Sequence, residues 1–242
     1  MAGRQVPSPN LLGGADSPTH PQVPTRRDLR VAPGAIVFDL GNVLLPFDHL
    51  RGCRAAARRS PFTPEEIYRR LWGSGPRQGA RMSGLVERFD RGRIGARDFF
   101  VQVRRLIDYR GTFGQLHHAW VDIFRANPAM ERLVTDLAGR YRLVLLSNTN
   151  RSHFEHVRRR YPVVGLIRRR VLSYQVGFLK PDPRIYRLAV RKAGCAPAEC
   201  LYVDDQPDFV AVGAGLGMMA LTFRGARRLR SDLERLGRPG DT

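Results

Sequence analysis

The sequence predicts an α/β fold: a doubly wound, mainly parallel sheet with a helical segment inserted after its first strand. Three observations predict it. The apolar runs at 36–38, 143–146 and 200–203 are short, and each stops abruptly on polar side chains. Fully buried parallel strands read this way. Helical periodicities separate the runs, which is the alternation a parallel sheet requires. From Leu50 to about Arg125 helical patterns follow one another with no convincing strand, so the first crossover is far longer than the others.

The elements are justified in order. Residues 1–33 carry six prolines among Gly, Ser, Thr and Arg with no hydrophobic period, and read as a disordered tail. The first strand, Ile36-Val37-Phe38, runs into Asp39 and then Gly41-Asn42. Asp48 is placed to cap the helix that follows. Thr63-Pro64-Glu65-Glu66 is a helix start, with Ile67 and Leu71 on its apolar stripe. Further helices are read over 83–91, 96–107 and 116–124. Pro128 opens a helix with Met130, Leu133, Val134 and Leu137 on one face, and Gly139 ends it. The second strong strand stops on Ser147-Asn148. A basic helix over 152–161 and a short strand near 171–173 come next. Lys180-Pro181-Asp182-Pro183 precedes a helix over 184–193, and the third strong strand ends on Asp204-Asp205. A helix over 209–216, a last strand over 218–222 and an Arg-rich surface helix complete the chain. The expected organisation is a tail at 1–33, a core built from 34–47 and 127–242, and a helical cap over 48–126.

Composition narrows the function classes. The 242 residues are 43% hydrophobic, enough for a sizeable core. No stretch approaches the roughly 20 apolar residues of a membrane helix, and the N-terminus lacks the apolar h-region of a secretory signal. Cys53, Cys195 and Cys200 have no metal-ligand spacing and are read as reduced thiols of a cytoplasmic protein. The formal net charge is +19, and all but two of the 41 basic residues are arginines scattered along the chain. With no nucleic-acid-binding motif beside them, these are solvated helix faces that draw in anionic substrates. Neither a nucleic-acid nor a membrane partner is expected.

In a parallel sheet the strand ends Asp39, Ser147-Asn148 and Asp204-Asp205 face one edge, where open α/β sheets bind ligands. Carboxylates from two strand ends make an oxygen-ligand site that suits Mg²⁺. A hydroxyl, an amide and the ammonium of Lys180 beside it would hold a phosphate.

These residues resemble the haloacid dehalogenase-like (HAD) hydrolase superfamily over roughly 35–223. Phe38-Asp39-Leu40-Gly41-Asn42-Val43 is similar to its first motif, Leu146-Ser147-Asn148-Thr149-Asn150 to the second, Lys180-Pro181 to the third, and Val203-Asp204-Asp205 with Asp208 to the acidic fourth. Within the superfamily the likeness is closest to bacterial α-D-glucose-1-phosphate phosphatases, through Asp-Leu-Gly-Asn-Val, Ser-Asn-Thr-Asn-Arg and Lys-Pro-x-x-Arg-Ile-Tyr. The resemblance implies a Rossmann-like core with a helical cap and a Mg²⁺-dependent phosphatase for a small, sugar-phosphate-like metabolite. It implies Asp39 as nucleophile, forming an aspartyl-phosphate, with Lys180 and Ser147 as its catalytic partners. Ser147, Asn148, Lys180, Gly41 and Asn42 would bind phosphate, and Asp39, Gly41, Asp205 and Asp204 would hold the metal. Asp208 would support Lys180 or cap the helix at Phe209.

The chain departs from the family at one position. Most phosphatases of the superfamily carry a second Asp two residues after the nucleophile, to protonate the leaving group and activate water. Here that residue is Gly41. Asp48, His49 or a cap residue could substitute. Two alternatives follow from the same loss: a noncatalytic binding or regulatory protein on this fold, or a metal-free 2-haloacid dehalogenase, against which the Asp204-Asp205 pair argues.

Overall fold

The computed structural model of the chain describes residues 32–73 and 84–236. The expected tail falls outside them apart from its last two residues, and so does Ser83. Strand β1 (Ala35–Phe38) is followed by helices α1 (His49–Ala57), α2 (Pro64–Trp72), α3 (Gly84–Asp90), α4 (Ala96–Leu106), α5 (Phe113–Val121) and α6 (Pro128–Ala138). Then come β2 (Arg142–Ser147), α7 (Arg151–Arg160), α8 (Pro162–Leu166), β3 (Arg169–Leu172), α9 (Ser173–Val176) and α10 (Pro183–Ala193). A 3₁₀ turn at Pro197–Glu199 leads to β4 (Cys200–Asp204), α11 (Pro207–Gly215), β5 (Met219–Thr222) and α12 (Ala226–Leu236). The five strands form one sheet in the order β3-β2-β1-β4-β5, and every pairing is parallel.

The register sets the core. Val37 pairs with Val144 on one side and Tyr202 on the other, so β1 is the buried central strand. Side chains alternate across it. Ile36 and Phe38 face the same cluster as Leu145, Val203, Met130 and Leu233, under α6 and α12. Ala35 and Val37 face Leu146, Tyr202, Ile185 and Ala189, under α10. Helices on both faces leave only the strand ends open, and the order in which strands are added reverses across β1, from β2-β3 on one side to β4-β5 on the other. These are the conditions for a crevice at the carboxyl edge.

Helices α1 to α5 have a separate core of Ile67, Leu71, Phe89, Phe99 and Leu116. The two passes of chain joining this core to the sheet are tied together: Asp48 N–H donates to Ile123 O at 3.0 Å and Arg125 N–H to Pro46 O at 2.8 Å. Arg51 Nη2 and Asp122 Oδ2 pair beside them at 2.5 Å.

Three details depart from the sequence reading. Helix α5 begins before residue 116, because Thr112 and Gln115 form a reciprocal capping box and the first turn carries an exposed Phe113. Its solvent-facing start has no apolar period to read. Helices α8 and α9 were not anticipated; each is about one turn, too short for a period. Helix α12 is more than a surface element, since Leu229, Leu233 and Leu236 at i, i+4 and i+7 are buried in the core under the sheet. Among the described residues no helix is long and apolar enough to cross a membrane.

Candidate active site

Phe38 lies opposite Leu145 and Val203 in the sheet, so Asp39, Ser147 and Asp204-Asp205 emerge at one edge. The Asp39 N–H extends the ladder to Val203 O at 3.0 Å. Lys180 arrives from the loop before α10 and is only 4% exposed. Its Nζ donates to Asp39 Oδ1 at 2.8 Å and to Asp204 Oδ2 at 2.6 Å. The Asn148 side chain fixes the Lys180 backbone from both sides: Oδ1 accepts from Lys180 N–H at 2.7 Å and Nδ2 donates to Lys180 O at 3.0 Å. The second and third motifs are thereby tied together.

The three carboxylates occupy different situations. Asp204 is fully buried, and Oδ2 also accepts from the Tyr202 hydroxyl while Oδ1 accepts from Gln206 N–H at 2.9 Å. Asp205 accepts from Asn42 Nδ2 at 3.1 Å through Oδ2 alone, and Asp39 is bonded through Oδ1 alone. Among the described residues, the second oxygens of Asp39 and Asp205 have no partner. Oxygens of all three acids lie within 4.8 Å of one another. Burial pushes the Asp39 carboxyl up from its ordinary range; the Lys180 charge opposes this and the Asp204 and Asp205 charges add to it. Burial also raises Asp205, against its bond from Asn42. For Lys180 burial acts to lower the pKa, but Asp204 and Asp39 outweigh it and hold the ammonium above its usual value. Three acids around one cation leave a surplus of negative charge with two free oxygens, a donor set that fits a hard divalent cation.

Above this edge lies a cavity of about 360 Å³. Its floor includes Asp39, Ser147, Lys180 and Asp205, and its walls include aromatic rings from the helical segment. His49 stacks on Trp72 at 4.3 Å, Trp72 lies parallel to Trp120 at 5.5 Å, and Trp120 stacks on His153 at 5.0 Å. His153 Nε2 is 2.9 Å from the Trp120 carbonyl, which can only accept, so this nitrogen carries the proton. The bare Nδ1 accepts from Asn150 Nδ2 at 3.2 Å. Burial lowers His49 to about 4 and His153 to about 3, leaving both rings neutral.

One acid enters the cavity from the helical side. Asp90, at the end of α3, is 8% exposed. Its Oδ1 accepts from Asn150 Nδ2 at 2.9 Å, and its carbonyl accepts from the Ser173 hydroxyl at 2.7 Å. Burial pushes its carboxyl up to about 7, opposed by the Asn150 hydrogen bond.

The sequence-predicted residues converge, with differences in detail. Asp39, Gly41, Ser147, Asn148, Lys180 and Asp205 all line the cavity. Asn42 does not; expected against phosphate, it instead bonds Asp205 and accepts from Phe47 N–H at 3.4 Å. Asp204, expected among the metal ligands, has an oxygen within 4.8 Å of those of Asp39 and Asp205, while both its oxygens also accept hydrogen bonds. Asp48 caps α1 through Leu50 N–H at 2.9 Å and pairs with Arg54 at 3.3 Å, outside the cavity lining. Asp208 is exposed in the first turn of α11 and makes no bond to Lys180 among the described residues. At Gly41 a Cβ would stand 2.6 Å from the Phe47 ring, so no acid fits there in this packing. Sequence reasoning missed Asp90, whose only signal was its place at the end of an apolar helical stripe. It quoted Asn150 within a motif without giving it a role.

Known proteins share this fold. A family model described as haloacid dehalogenase-like hydrolase matches residues 33–217. The D-ribitol-5-phosphate phosphatase of Bacteroides thetaiotaomicron is 25% identical over 190 residues, covering 75% of this chain and 87% of that protein. A HAD-family enzyme of the same organism, solved with magnesium and inorganic phosphate, superposes with a TM-score of 0.68 at 23% identity, covering 78% of this chain and 93% of the other. A HAD-like family hydrolase of Porphyromonas gingivalis superposes with a TM-score of 0.70 at 24% identity, covering 85% and 99%. With the family model spanning the first four strands of the sheet and the inserted helices, the chain belongs to the haloacid dehalogenase-like hydrolase family.

Proposed function

We propose that this protein is a magnesium-dependent phosphatase of a small sugar or polyol phosphate, acting through an aspartyl-phosphate on Asp39, with α1 to α5 as the cap over the site. The observation that carries the reading is Lys180 buried between Asp39 and Asp204, with free oxygens of Asp39 and Asp205 beside it. Such a site is built to neutralise an incoming phosphate and present it to a carboxylate.

The chain's own groups divide the reaction. Ser147 and the Asn148 backbone N–H orient the phosphoryl oxygens; the Asn148 side chain is committed to Lys180 and takes no part. The free Asp39 oxygen attacks phosphorus, the ester oxygen leaves, and water then cleaves the acyl-phosphate. Lys180 holds the attacking carboxylate in place and stabilises charge on the transferring group. Asp204 does not face substrate. It fixes the ammonium of Lys180. Asp39, Asp205 and the Gly41 carbonyl would hold Mg²⁺, which supplies neutralisation of a phosphate oxygen that would otherwise repel Asp39. The three free thiols suit a reducing cytoplasm.

Glucose 1-phosphate, favoured by motif wording, and ribitol 5-phosphate, named for the Bacteroides relative, are the first esters to test, beside p-nitrophenyl phosphate. Phosphate release is expected with Mg²⁺ and not in EDTA, and Asp39→Asn is expected to cost on the order of 10⁴-fold or more. Release that survives either change overturns the reading. Activity on chloroacetate in EDTA would restore the dehalogenase alternative, and phosphate binding with no ester hydrolysed would restore the noncatalytic one.

A further inference from the structure

A phosphatase that expels an alkoxide needs a proton donor on the far side of phosphorus from its nucleophile. In-line transfer from Asp39 sends the leaving oxygen away from the sheet edge, toward the helical side of the cavity. Position 41 cannot supply the donor, because the Phe47 ring fills the space a side chain would take. The other carboxyl and imidazole groups lining the cavity are committed or hold no proton, and burial keeps the Tyr68 hydroxyl above its usual pKa, too weak an acid for this step. Glu87 pairs with Arg91 at 2.8 Å, and Asp182 pairs with Arg184 at 2.6 Å while capping α10. His153 has both ring nitrogens engaged. His49 is a bare base within its ring stack and holds no proton to give at neutral pH. Asp39 and Asp205 belong to the nucleophile and metal set.

Asp90 remains. Among the described residues it has no cationic partner and its Oδ2 has no partner, while its Oδ1 is held by Asn150. Its backbone is held by Ser173, whose hydroxyl also accepts from Thr149 N–H at 2.9 Å. The carboxyl is therefore fixed from the cap onto the loop that follows Ser147.

We propose that the Asp90 carboxyl is the general acid that protonates the leaving oxygen, in place of the side chain for which position 41 has no room. The proposal rests on the phosphatase reading above. In the first step the P–O bond to the alcohol breaks as the Asp39 oxygen bonds phosphorus, and the Asp90 proton passes to the departing oxygen, leaving Asp90 ionised. In the second, water gives a proton back to Asp90 as its oxygen bonds phosphorus and the bond to Asp39 breaks. Free phosphate and the starting enzyme result. The protonation state needed at the outset is available, since burial holds Asp90 near 7. The groups around it leave that value standing: Glu87 on its own helix and Arg91 just past the helix end neutralise each other, His153 on α7 is neutral, and Tyr174 on α9 is held above its usual pKa, chiefly by burial.

The test uses the full chain with Mg²⁺ and compares kcat/KM on p-nitrophenyl phosphate, whose leaving group needs no proton, with that on the alkyl phosphate turned over fastest. Asp90→Asn keeps an oxygen for Asn150 to donate to. It is expected to lower kcat/KM on the alkyl ester by about 10²–10⁴-fold, and on the nitrophenyl ester by less than about tenfold. Equal losses on the two esters, or no loss, overturn the proposal. Should the variant fail to fold, the unmodified enzyme decides: an alkaline limb near pH 7 is expected in kcat/KM for the alkyl ester and not for the nitrophenyl ester, and identical profiles overturn it. If neither ester is hydrolysed by the unmodified enzyme, the phosphatase reading itself fails and takes this proposal with it. Hydrolysis with equal losses sinks this proposal alone.

Discussion

The two halves of the cavity are built on opposite plans. On the sheet edge charge is dense and every charged group has a partner, with one oxygen each of Asp39 and Asp205 left open: Lys180 answers Asp39 and Asp204, Tyr202 and Gln206 complete Asp204, and Asn42 steadies Asp205. On the helical side charge is scarce. Stacked rings of His49, Trp72 and Trp120 form the wall, and Asp90 is the acid there that, among the described residues, no cation answers. A buried ionic network is stable only while complete. An aromatic wall tolerates change, and a lone carboxyl adapts by staying protonated. Paired charge is thus locked into the sheet-edge half, and the helical half is left adjustable around one carboxyl.

The sharpest way to break this contrast is Lys180→Met. It strands two buried carboxylates, so we expect a stability loss of about 3–5 kcal/mol in urea unfolding together with loss of phosphate release. A small effect would mean the edge is not a network. Next in size is a pH effect on the helical side. The folded Asp90 carboxyl titrates near 7 and an unfolded one near 3.8, so between those values the folded state holds a proton that the unfolded state has lost. Stability contributed by Asp90 is therefore full below about pH 4 and falls as pH rises toward 7, by at most about 1.4 kcal/mol per unit. Asp90→Asn removes the titration. Thermal melts from pH 4 to 7 should show the unmodified protein losing ground to the variant, and parallel curves would refute the assignment. The smallest effect is expected between the halves. Asp48→Ala removes the α1 cap, costing about 1 kcal/mol, with kcat/KM expected to change less than twofold. A larger kinetic loss would return Asp48 to the catalytic set.

The same division explains what could be read from sequence. Strand ends are legible because burial dictates an apolar run and chemistry interrupts it: Asp39, Ser147 and Asp204-Asp205 each stand where such a run stops. Lys180 stood out as one of only two lysines. The roles of Asp204 and Asp205 were legible only in part: Asp204 reads as the supporting acid, but either could be the direct ligand, because the apolar run does not encode which way each carboxylate turns. Asp90 was hidden for a related reason. Its helix is short, and its contacts with Asn150 and Ser173 join residues 60 and 83 positions apart, which no local period encodes. Helix α12 was half read: its arginines marked a surface, and Leu229, Leu233 and Leu236 were passed over.

The Phe47 ring lying against Gly41 ties two positions together in descent and in engineering. A lineage acquiring an aspartate at 41 before trimming 47 would crowd the very turn that carries its nucleophile, and trimming 47 first would open a hole beside His49 with nothing yet to fill it. An acid at 41 asks the Phe47 ring to move, so the glycine and the phenylalanine should be inherited, exchanged or redesigned as a pair.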